Sequence, residues 1–155
     1  MLRELIAHSG KAADATYKAK TEMKTGMGVV KGENGVAAFP EAASAQNIYW
    51  VQKARIPVGI NASRVNQSDY DTDFVNVAKD ELVVLVNYSA GEKFATDAVG
   101  TVTKSDAGKV VEVNTDGTLV VATGPSIYLY RGEYLDAGNH VLAEIEVLDT
   151  AISNE

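Results

Sequence analysis

The sequence predicts a mainly β protein: a compact small β-barrel or β-sandwich domain carrying an extended, partly helical or irregular N-terminal arm. Three observations predict it. Runs of β-branched and aromatic residues recur through residues 26–149, each about one strand long and bounded by Gly, Asn, Asp or Pro. Two of these runs are joined by Asp116-Gly117, a pair suited to a hairpin turn because it tolerates positive φ. Residues 1–25 have a different texture: between Lys11 and Lys24 only Tyr17 and Met23 are sizeable apolar side chains. That is too little to close a core, so the segment reads as an arm that orders when it lies on something.

The elements follow in order. Gly26 to Lys31 reads as a short strand, Lys31 to Gly35 as a turn with two glycines able to take positive φ, and Val36 to Phe39 as a second strand stopped by Pro40. Asn47 to Ala54 is a strong strand, dense in aromatic and β-branched residues, and Ile56 to Ile60 a weaker, edge-like one. Residues 63–79 are a polar connecting loop, rich in Asn and Asp. Glu81 to Tyr88 is nearly continuous in apolar residues, as a strand buried on both faces would be. Short strands are expected at Lys93 to Thr96 and Ala98 to Thr103, the hairpin at Lys109 to Thr123, and alternating strands at Ser126 to Tyr130 and Leu142 to Val147. The expected division is an arm at 1–25, a first β subdomain at 26–62, the loop at 63–79, a barrel-like second β subdomain at 80–149 and a tail at 150–155.

Composition excludes several classes. With 155 residues, 46% hydrophobic and 23% charged, the chain has the material for a folded domain. It has no cysteine, hence no disulfide and no thiolate metal site. No run approaches the roughly 20 apolar residues of a membrane span, and Met1 to Ala7 is too short and polar for a signal peptide core. Synthesis in the cytoplasm and no membrane partner are expected. The net charge of −7 is uneven: residues 1–65 hold nine basic and five acidic side chains, and residues 66–155 hold five and sixteen. The acidic body is a poor nucleic-acid partner. The basic N-terminal segment suits an acidic neighbour, another copy of the chain included, or is simply solvated.

Catalytic signatures are missing. The histidines are His8, in the expected arm, and His140, after the turn Asp136-Ala137-Gly138-Asn139. There is no Gly-x-Ser-x-Gly, no His-Glu-x-x-His and no phosphate-binding glycine loop. Asp69, Asp71 and Asp73 have the first spacings of a calcium loop, but Phe74 stands where Gly is needed and Asp80 where Glu is needed. They are a cation candidate, with a solvated acidic loop as the alternative. The expectation is therefore no catalytic residue, no cofactor and no metal. Candidate contact residues are Lys11, Lys18, Lys20 and Lys24 in the basic segment, with Trp50 and Tyr70 as aromatic anchors. Tyr49 and Trp50 are neighbours on one strand and face opposite sides, so one is expected in the core and the other free for contact.

Several stretches together resemble the capsid decoration, or cement, proteins of tailed bacteriophages. They are Gly26-Met27-Gly28-Val29-Val30, Asn47-Ile48-Tyr49-Trp50-Val51, Ile56-Pro57-Val58-Gly59, Ser68-Asp69-Tyr70-Asp71, Lys79-Asp80-Glu81-Leu82-Val83, Gly91-Glu92-Lys93-Phe94-Ala95-Thr96-Asp97 and Asp116-Gly117-Thr118-Leu119-Val120, spread over about residues 23–149. The resemblance implies a non-enzymatic structural virion protein, made in the host cytoplasm and ending on the capsid exterior. Its partners would be the major capsid protein and other copies of itself, as a homotrimer at local three-fold positions, with an N-terminal arm reaching onto neighbours. The residues alone leave other readings open: another virion component such as a head fibre base or tail module, or a β-barrel that binds a small molecule or carbohydrate.

Overall fold

The computed structural model describes residues 1–8, 13–54, 70 and 72–155, with Asp73 by its backbone alone. In chain order the strands are β1 (Leu2–Ile6), β2 (Ala13–Ala19), β3 (Met23–Lys24), β4 (Gly28–Lys31), β5 (Val36–Ala38), β6 (Tyr49–Lys53), β7 (Asn76–Val77), β8 (Leu82–Val86), β9 (Lys93–Thr96), β10 (Val110–Val113), β11 (Leu119–Val121), β12 (Ser126–Leu135) and β13 (Val141–Ile152). A single α-helical turn, Thr72–Val75 (α1), precedes β7. Strands β2-β5-β4-β6-β8 close into a barrel, and β1-β9-β13-β12-β10-β11 form a six-stranded sheet. The mainly β expectation holds, with a closed barrel as its centre.

One wall of the barrel serves two cores. In β8, Val83 and Leu85 point into the barrel, while Val86 and the half-buried Val84 point at the six-stranded sheet. The nearly unbroken apolar run of this segment follows from that double duty. In β6 the same alternation sends Tyr49 and Val51 inward and Trp50 outward, where it meets Phe94, Tyr128 and Ile145 of the large sheet. Barrel and sheet are thus two layers on one shared core, with a second core inside the barrel.

Close backbone approach fixes the layers. The Gly28 amide donates to the Gly117 carbonyl at 2.9 Å, and Ser44 and Val113 exchange two bonds of 2.9 Å. A Cβ on Gly28 would lie 2.6 Å from a Val113 methyl, so only glycine lets the barrel wall come this near. The hairpin β10–β11 turns as expected at Asp116-Gly117, with one difference. Gly117 alone takes positive φ, +80°, and Asp116 accepts the Thr118 amide through its side chain at 2.9 Å.

Several boundaries differ from expectation. The described residues among the first 25 are strands rather than an arm. β1 pairs antiparallel with β9 at the edge of the large sheet, β2 is a barrel stave between β5 and β8, and β3 pairs with β7. The scarcity of large apolar residues is explained by what a stave needs. β2 places Ala19 and Tyr17 on the barrel core, and Met23 (1% exposed) fills the rest of the space. The described part of the 63–79 loop contains α1 and β7, with Val75 and Val77 buried. Residues 98–103 form only a bridge from Val99 to Leu119. The tail is partly strand, since β13 runs to Ile152, and the Asn154 side chain holds both the amide and the carbonyl of Val110. The two β subdomains also interleave, with β8 in the barrel and β1 in the sheet. The strand expected at Ile56 to Ile60 lies outside the described residues.

Deletion of residues 1–22 is therefore expected to abolish the cooperative thermal transition, because it removes β1 and opens the barrel between β5 and β8. A truncated protein that melts as the full chain does, followed by near-ultraviolet circular dichroism, would contradict this.

Candidate functional site

The longest strands, β12 and β13, form a hairpin whose tip is Asp136-Ala137-Gly138-Asn139-His140, and the tip is built around one carboxylate. Asp136 is buried. Its Oδ1 accepts the Gly138 amide at 2.8 Å and the His140 amide at 3.0 Å, and its Oδ2 accepts the Tyr70 hydroxyl at 2.7 Å. Arg3 Nη2 of β1 donates to the same Oδ2 at 3.4 Å. The Tyr70 ring stacks on His140 with centroids 3.7 Å apart. Asn139, at φ 60°, supplies the left-handed corner, a conformation asparagine tolerates. The Tyr70 hydroxyl and the two tip amides hold the Asp136 carboxyl well below the usual carboxylate range, and burial pushes the Tyr70 phenol above its ordinary value. Just below the tip, Leu135 and Val141 face each other across the hairpin, 58% and 56% exposed. The arrangement presents an apolar pair on a rigid support.

The other buried carboxylates are also bonded within the chain. Glu112 accepts the Thr123 amide at 3.0 Å, and Glu92 accepts the Ser89 amide and, at 2.8 Å, the His8 amide. On the outer face of the large sheet, Lys93 lies between Glu144 (3.3 Å) and Glu146 (3.5 Å), and Arg131 Nε donates to Glu146 at 2.6 Å. On the barrel, Lys31 lies over the Tyr49 and Tyr17 rings at 4.5 and 5.0 Å and donates to Asp14 at 2.6 Å. Among the described residues no group of three or more His, Cys, Asp or Glu side chains gathers as metal ligands would.

The hydrogen bond from Lys31 brings the Asp14 carboxyl down to about 2, and that from Lys109 does the same for Asp106. Both carboxyls are depressed relative to the unfolded chain. Their contribution to stability is thus complete above the ordinary carboxylate range near pH ~4 and is lost as pH falls toward 2. Titration of the side-chain carboxyl carbons by NMR is expected to give midpoints near 2 for both; midpoints near the ordinary value would show that these pairs do not form in solution.

The contact candidates fare unevenly. Lys18 on β2, Lys20 just after it and Lys24 on β3, which pairs with β7 outside the barrel, are exposed, with the exposed Glu22 among them. Tyr70 belongs to the hairpin-tip cluster, half-buried rather than presented as an anchor. Trp50 is no contact anchor: it is fully buried between Phe94, at 4.5 Å, and Tyr128, at 5.7 Å. Of the Tyr49–Trp50 pair it is Trp50 that fills the core, because its side of β6 faces the second layer. Lys11, Asp69 and Asp71 lie outside the described residues, as does the side chain of Asp73. Sequence reasoning missed Leu135, Val141 and the role of Asp136. The only available signal was two apolar residues flanking a turn.

No family model matches the chain, and no curated protein or solved structure matches it either.

Proposed function

We propose that this chain is a structural virion protein that binds the outer surface of an expanded phage capsid and bridges neighbouring capsid subunits. The observation that supports this reading best is how the chain uses its buried charge. Glu92, Glu112 and Asp136 accept hydrogen bonds from amides and hydroxyls of the chain itself and act as braces. These three carboxylates are thereby tied into the scaffold, while large apolar side chains stand exposed on separate elements: Ile6 on β1, Leu82 on β8, Ile152 on β13 and the Leu135–Val141 pair. A rigid double-cored scaffold with apolar contacts on several sides suits a protein that touches more than one neighbour. The resemblance in the sequence supplies the kind of neighbour.

Bridging stabilises an expanded shell when the bridging protein binds that form and not the compact one, so binding energy shifts the equilibrium between them. Many copies on one particle add modest contacts into firm attachment. The test is co-sedimentation of purified protein with shells that lack it. Saturable binding to expanded shells and little binding to compact ones is expected. Equal binding to both, or to neither, would overturn the reading.

A further inference from the structure

The β12 edge changes character at Tyr130. Up to that residue it is covered: Val110 and Val111 of β10 pair with Leu129 and Tyr128, and Tyr130 exchanges backbone bonds with Gly108 and Lys109. A bulge between Tyr130 and Gly132 follows, with Gly132 at φ +121°. From Gly132 to Leu135 the strand pairs with β13 on one side, and on the other it makes no backbone hydrogen bond among the described residues. Free strand edges are templates for another strand.

The same short segment displays an apolar projection and an apolar recess. Leu135 projects, 58% exposed. Beside it lies a cleft of about 220 Å³ floored by Val99, Val102, Tyr130, Val141 and Ala143, with room for a leucine side chain. The charged side chains around the cleft are Lys104 and Glu133, 3.3 Å apart and 80% and 41% exposed, and Asp97, which is paired with the Met1 ammonium. The net charge of −7 is therefore not concentrated here.

We infer that residues 132–135 are the surface on which a second copy of this chain docks, edge to edge across a two-fold axis. A two-fold contact uses one patch twice, so the patch must complement itself. This one does: it holds both the projection and the recess that receives it, and both members of an ion pair. Antiparallel pairing of the two β12 edges satisfies the open backbone groups and continues the sheet from one copy into the next. Leu135 of each copy enters the cleft of the other, and each Lys104 comes within reach of the second copy's Glu133. The docking does not rest on the shell reading, since it concerns the free protein in solution.

The experiment is sedimentation velocity of the full chain over a wide range of concentration, with hydrogen exchange on the same samples. A monomer–dimer equilibrium is expected, with amide protection at residues 132–135 rising as dimer forms. Leu135→Glu and Val141→Glu are each expected to weaken the dimer by roughly a hundredfold or more, because each change is made twice across the axis and places a charge in an apolar contact. Both positions are exposed, so the melting temperature of the monomer should be unchanged. Ile152→Glu, also exposed (46%) but away from this edge, is the control and should leave the dimer intact. A monomer at every concentration, a trimer, or a dimer indifferent to both substitutions would overturn the inference.

Discussion

Trp50→Ala is expected to destabilise the fold by about 3–5 kcal/mol, the range for removing a fully buried aromatic side chain. Trp50 is completely buried, and it is where the barrel wall meets the large sheet: its ring lies 4.5 Å from Phe94 and makes an edge-on contact with Tyr128. Phe94 stacks in turn on Tyr88 at 4.3 Å, so the four rings form one connected cluster between the layers. Truncation leaves a cavity that neither layer can fill by itself, because Gly28 and Ser44 hold the layers at a fixed separation. Urea unfolding measures the loss. A change below about 1 kcal/mol would mean that the layers do not share a core as described.

Gly117→Ala is expected to be clearly more damaging than Gly91→Ala, which provides its control. Both glycines have positive φ, +80° and +85°. A side chain at either therefore carries the conformational penalty of roughly 1–2 kcal/mol. Around Gly91 there is nothing within 4 Å, and the penalty ends there. At Gly117 the new Cβ would lie 2.6 Å from the Phe39 ring and 3.1 Å from the Gly28 carbonyl. Hairpin β10–β11 would have to withdraw from the barrel, adding about 1–3 kcal/mol of packing strain. The difference between the two variants in one thermal melt isolates the docking of hairpin on barrel. Equal losses would show that the hairpin tip does not press on Phe39.

What was legible in the sequence was local, and what was missed was long-range. The run Leu82–Val86 announced a strand buried on both faces, and the reason is that each face lies in a different core. Asp116-Gly117 announced its hairpin, because turn conformation depends on the turn residues themselves. The first 25 residues were misread because counting large side chains is a poor measure of a barrel stave. Ala19 is almost fully buried with only a methyl to offer, and the volume around it is filled by Met23, Val51 and Val83. The Trp50 side of β6 was not decidable from alternation alone, which says that neighbours face opposite ways but not which layer waits on each side. Asp136 was invisible as a brace for the same reason. Its partners Tyr70 and Arg3 lie 66 and 133 residues away along the chain.

The proposal that the chain sits on a capsid exterior is best tested by quantitative mass spectrometry of density-purified particles from a lysate carrying its gene. The chain is expected to travel with the particles at a fixed, high ratio to the major capsid protein. Its absence from the particles, with all of the protein left in the soluble fraction, would overturn the proposal.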